Sequence, residues 1–135
     1  CGGSACTREL DATPRVVTVT LTSESCNAAG NTFIITQPTP ADTLFTDGCH
    51  SPVPGTPAAT FILNNGAAYT AGTPISATVV SGSGNLSFTP TVRVTGAFPD
   101  WTLEYDDGQG CGVADPTCGG TEPDFNDLVL TVHAQ

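Results

Sequence analysis

Carboxylates crowd the C-terminal third of this 135-residue chain. Eight of its thirteen acids lie between positions 100 and 127: Asp100, Glu104, Asp106, Asp107, Asp115, Glu122, Asp124 and Asp127. Lysine is absent and no arginine follows Arg93, so these acids lack cationic partners nearby in the sequence. Carboxylates gathered in one place repel one another unless they are protonated, hydrated or neutralised by a cation. The donors on offer are all oxygen: Asp and Glu side chains, an Asn amide, and loop carbonyls near Gly108, Gly110, Gly119 and Gly120. Hard oxygen donors on a flexible loop suit Ca²⁺, with about six to eight ligands, ahead of Zn²⁺ or Cu²⁺. The competing reading is a solvated acidic face that keeps a lysine-free chain in solution.

Positioning these acids falls to two segments. In Trp101–Asp107 the apolar Trp101, Leu103 and Tyr105 alternate with Glu104 and Asp106, and Asp107-Gly108 turns the chain. Further on, Asp127 leads into Leu128, Leu130 and Val132, an inward-facing row with Asp124 and Asn126 just ahead of it. The period of two predicts a strand in each segment. If those strands are neighbours, their acidic ends converge on one rim.

The same alternation recurs upstream. Val17, Val19 and Leu21 alternate with threonines, and short runs follow at 32–37, 42–46, 58–64, 75–81, 86–89 and 91–95. Together with 101–105 and 126–134 they predict about nine strands, separated by Pro, Gly, Asn and Asp turns. Threonine occurs 22 times, while Lys, Met, Glu and Gln are scarce, which favours strands over helices. The expected fold is an all-β, antiparallel two-sheet β-sandwich, jelly-roll-like and pinned by disulfides. Asn64-Asn65-Gly66 is the clearest hairpin signal, since a type I′ turn needs two residues at positive φ. Residues 1–14 show no sustained period and are expected to form an arm, leaving 15–135 as one sandwich domain.

The pattern Trp-x-Leu-x-Tyr-Asp-Asp-Gly over 101–108, a Gly-rich spacer, then Asp-Phe-Asn-Asp-Leu-Val-Leu over 124–130 resembles the C-terminal part of a family of exported bacterial domains. In that family an acidic segment precedes Asp-(Phe/Tyr)-Asn-Asp and a hydrophobic strand. The resemblance covers residues 101–132 and departs from the family pattern at Cys111 and Cys118 in the spacer. It implies a calcium-binding sandwich found in surface or secreted proteins, with Glu104, Asp106, Asp107, Asp124, Asn126 and Asp127 as ligands.

A net charge of −10 with only three arginines argues against nucleic acid as a partner. No apolar run is long enough for a transmembrane segment. Numbering from Cys1 is read as the product of signal-peptide removal. Six cysteines then imply up to three disulfides in an oxidising, extracellular compartment. Of the fifteen pairings, sequence proximity favours Cys1 with Cys6, Cys26 with Cys49, and Cys111 with Cys118. The alternative is a lipid on Cys1, which would leave an odd cysteine.

Other motifs carry less. Cys49-His50 lacks a C-x-x-C companion. His133 falls at the end of the last strand as an ordinary surface residue, and Asn85-Leu86-Ser87 is a formal glycosylation sequon. Neither a nucleophile elbow nor a sugar-stacking platform is present, so the chain is read as no enzyme. The function expected is that of a secreted, calcium-binding structural protein of the cell surface, self-assembling as a homo-oligomer or polymer. Absent lysine leaves Thr-Val sheet edges unprotected and open to strand addition. The alternative is a carbohydrate-binding or adhesion module, with Trp101 or Tyr69 stacking on glycans.

Overall fold

The computed structural model describes residues 1, 4–11, 13–24, 30–48, 59–81, 90–108, 125 and 127–135. Nine strands are described: β1 (Ala5–Glu9), β2 (Val17–Glu24), β3 (Thr32–Gln37), β4 (Asp42–Phe45), β5 (Ala59–Ile62), β6 (Pro74–Val80), β7 (Thr91–Ala97), β8 (Asp100–Asp106) and β9 (Leu128–Ala134). They form two antiparallel sheets, in the orders β1-β6-β3-β4 and β5-β2-β9-β8-β7. The expected two-sheet sandwich is therefore the fold.

The alternation read from the sequence is what fills the space between the sheets. Val17, Val19 and Leu21 of β2, Leu128, Leu130 and Val132 of β9, and Trp101, Leu103 and Tyr105 of β8 are all buried. Phe33 and Ile35 of β3, Phe45 of β4, and Ile75, Ala77 and Val79 of β6 face them from the other sheet. Phe33 stacks on Phe45 at 5.6 Å between ring centroids and meets the edge of Tyr105 at 6.0 Å. Such paired aromatics contribute about 0.5–1.5 kcal/mol beyond the area they bury.

The N-terminal segment departs from expectation. Ala5–Glu9 is no detached arm but the edge strand β1, paired with β6 from Ala5 opposite Thr78 to Glu9 opposite Pro74. Its inward positions are Cys6 and Arg8, followed by Leu10, and Cys6 and Leu10 are buried in the core. Arg8 lines a small apolar cavity together with Cys6, Ile35, Ala77, Trp101 and Leu103. An arginine at an inward position hides the period of two from a hydropathy reading. The expected Cys1–Cys6 disulfide is present. Cys26, Cys49, Cys111, Cys118, His50, the sequon at Asn85 and the expected strand at 86–89 lie outside the described residues.

The Asn64-Asn65-Gly66 turn has the expected chemistry but not the expected role. Asn64, Asn65 and Gly66 have φ of 55°, 52° and 83°, and the Ala67 amide donates to the Asn64 carbonyl at 3.0 Å. No hairpin follows. β5 pairs with Thr18–Leu21, and beyond the turn Tyr69 bridges Arg15, so the chain continues along the same edge of β2.

Candidate metal centre

β8 and β9 are adjacent, with Tyr105 opposite Leu128 as their last paired residues at one end of the sandwich. The acids that flank this pair, Asp106 and Asp107 on one side and Asp127 on the other, therefore meet. Each offers a carboxylate oxygen, and the three oxygens lie within 4.8 Å of one another. All three residues are buried, at 0%, 2% and 9% exposure. The convergence of acidic ends inferred from the sequence is what the register produces.

Backbone and side-chain donors fix the orientation of the group. The Asp107 amide donates to Asp127 Oδ2 at 2.7 Å, and the Gly108 amide donates to Asp106 Oδ1 at 2.8 Å. Gly108 has a φ of 80°, the left-handed conformation that glycine adopts without steric cost. The Asp127 amide returns to the Tyr105 carbonyl at 3.1 Å. Short bonds from N–H groups to carboxylates are among the stronger hydrogen bonds.

A fourth residue comes from the opposite sheet. Asn31 Nδ2 donates to Asp107 Oδ2 at 2.8 Å, and Asn31 is fully buried. The inward row of β3, Phe33 and Ile35, extends back by two residues to Asn31, just as the inward row of β8 extends forward from Tyr105 to Asp107. The Asn31–Asp107 bond thus continues the Phe33–Tyr105 contact between the sheets. The loop below is tied in as well, since the Gly48 amide donates to the Asn31 carbonyl and the Gly30 amide to Asp47 Oδ1. Asn31 was missed in the sequence, where its one signal was its place two residues ahead of Phe33.

Glu104 stands apart from the triad. Its side chain lies on the outer face of β8, where Arg93 of β7 sits directly opposite. Arg93 donates to Glu104 Oε2 through Nη2 and, at 3.0 Å, through Nε, and Thr95 reaches Oε1 at 3.3 Å. The expectation that the C-terminal acids lack a cationic partner is corrected here, because Arg93 reaches across from the neighbouring strand. Asp124 and Asn126 lie outside the described residues.

The other arginines are also committed away from the triad. Arg15 pairs with Asp11 at 2.9 Å, and Arg8 donates to the Thr7 carbonyl. His133, on the outer face of β9, pairs with Asp100 at 2.5 Å. Burial pushes the Tyr105 hydroxyl well above the usual phenol range, and this hydroxyl has no hydrogen-bond partner among the described residues.

Three buried carboxylates, oriented by amide donors and supplying only oxygen, form a donor set that can hold a metal ion. Compared with protein-family models, curated proteins and solved structures, the chain matches none.

Proposed function

We propose that the protein is an extracellular calcium-binding structural module, in which the ion closes one end of the sandwich. The observation that carries this reading is the convergence of Asp106, Asp107 and Asp127, buried and within 4.8 Å. A formal charge of −3 in a buried site calls for a hard cation, and all-oxygen donors favour Ca²⁺ over softer metals. The resemblance of 101–132 to exported calcium-binding domains supports the same ion. The Cys1–Cys6 disulfide supports an oxidising, extracellular setting.

Within that reading, the module joins copies of itself through its sheet edges. Among the described residues β1, β4, β5 and β7 each pair on one side only, and Ile62 at the end of β5 is 60% exposed. Assembly is assigned to these edges, of which β1, built into the sandwich, is one. The glycan alternative named Trp101 or Tyr69 as the stacking ring, and of these Trp101 is buried, its ring set against Phe98 at 5.8 Å, while Tyr69 is partly buried.

The test is a melting curve in EDTA and in millimolar Ca²⁺. A ligand that binds only the folded state at about a hundredfold excess over Kd adds roughly 2.7 kcal/mol. A melt indifferent to chelator and to Ca²⁺ sinks the metal reading. Electron microscopy and light scattering under the same two conditions test assembly, and a chain that stays monomeric at high concentration in Ca²⁺ refutes that part.

A further inference from the structure

The outer face of β7 and β8 carries a contact that the triad does not explain. Arg93 is gripped by Glu104, and its guanidinium lies over the ring of Phe125, 4.8 Å from Cζ to the ring centroid. Phe125 stands two residues before Asp127 and has a φ of 55°. An aromatic residue has no intrinsic preference for the left-handed region, so such a conformation persists where its surroundings hold it. A large apolar side chain at this position is thus set against a surface arginine instead of joining the core cluster.

We propose that Arg93 and Phe125 are positioning residues for the metal site, with Glu104 acting through Arg93 and not as a ligand. This inference rests on the calcium reading above. Glu104 holds the guanidinium flat by a cross-strand pair, and the guanidinium fixes the Phe125 ring. The anchored ring sets where the chain enters β9, and hence where the Asp127 carboxylate meets Asp107. The pair also keeps the arginine's charge occupied, so that it does not compete with the cation for the carboxylates. Arginine suits this task because its planar head can stack on a ring and bond a carboxylate together.

The experiment measures Ca²⁺ affinity by competition with a chromophoric chelator, alongside the melting temperature in EDTA. Arg93→Gln and Phe125→Leu are each expected to weaken Ca²⁺ binding about two- to fivefold, the equivalent of one exposed cation–π contact. Phe125→Tyr, which keeps the ring, is expected to bind as the wild type does. Glu104→Gln is expected to weaken binding to a similar degree in the wild-type background and to have no further effect when Arg93 is already Gln. A ligand role for Glu104 predicts the opposite, an undiminished loss in the Arg93→Gln background. A merely structural role predicts lower melting in EDTA for Arg93→Gln with unchanged affinity. Either of these two results overturns the proposal. A wild-type chain that binds no Ca²⁺ removes the site itself and the role with it, whereas a binding wild type with unaffected variants removes only the role.

Discussion

Replacing Asp127 by asparagine separates the charge of the triad from its shape. The amide keeps an oxygen that can accept the Asp107 N–H, now at 2.7 Å, and has nearly the same volume as the acid. At an effective dielectric constant of about 20, two unit charges 4.8 Å apart repel by ~3.5 kcal/mol. The substitution removes two of the three repulsive pairs. Most of that gross energy is already relieved without metal, by the amide donors and by Asn31, so a net gain of about 1–2 kcal/mol is expected for the metal-free variant. For a domain of this size that raises the melting temperature by roughly 3–8 °C. In millimolar Ca²⁺ the order reverses, because the wild type gains about 2.7 kcal/mol from the ion and a site with one fewer charged ligand gains less. Calorimetry at pH 7 in EDTA and in Ca²⁺ reads both halves. If the asparagine variant melts below the wild type in EDTA, the three carboxylates do not repel in the folded protein, and the argument for a cation fails.

Four further variants test individual contacts. Tyr105→Phe removes a buried hydroxyl that has no hydrogen-bond partner among the described residues, so the variant is expected to be as stable as the wild type or more so. The same change alters alkaline behaviour: the raised folded-state pKa means that stability is fully present below about pH 10 and is lost as the unfolded phenol ionises above it, a loss the variant lacks in melts from pH 9 to 11. Gly48→Ala would place a Cβ 2.7 Å from Phe45 Cε2 and 2.8 Å from Leu128 Cδ2, so urea unfolding should show a loss of about 1–3 kcal/mol. Deleting residues 1–9 exposes the β6 edge and removes Cys6 from the core, and circular dichroism should show a less stable fold, not an intact monomer. The Arg15 side chain holds the Asp11 carboxyl below its ordinary value, so this pair contributes above about pH 4 and is lost on further acidification, a difference that Asp11→Asn abolishes in acid melts.

What the sequence disclosed was set by how directly side-chain period reports burial. Val17-Thr-Val-Thr-Leu21 alternates without exception and Leu128–Ala134 with one, the outward Val129, and both lie in central strands of the larger sheet. The acidic rim was legible for the same reason, because Asp107 ends the apolar row Trp101, Leu103, Tyr105 and Asp127 immediately precedes Leu128, the first member of the apolar row of β9. β1 was hidden because one of its inward residues is an arginine with its stem against a cavity. Glu104 was placed on the correct face, but the arginine opposite it depends on strand register, which pattern alone does not reveal. The Asn64–Gly66 turn was legible as local backbone geometry, while the partner of the strand after it is a long-range matter. Asn31 shows the limit most clearly. A lone polar residue heading an apolar row reads as a loop residue until the facing row is known to end in Asp107.

That pairing of row ends explains why polar groups close this end of the sandwich. Two sheets packed through aliphatic and aromatic rows have no directional contact to fix their relative slide, since apolar burial is indifferent to small shifts. Asn31 and Asp107 supply such a contact, two residues beyond the Phe33–Tyr105 edge. The cost is a cluster of buried carboxylates whose residual repulsion a bound cation would offset. The proposed ion would thereby tie the alignment of the sheets to its availability. In the proposed setting the module would be ordered where Ca²⁺ is abundant, outside the cell, and loosened where it is scarce. Hydrogen exchange at the Asn31, Asp107 and Asp127 amides, compared in EDTA and in Ca²⁺, is expected to show protection that tracks the ion. The Val19 and Leu130 amides at the centre of the larger sheet should remain protected in both conditions.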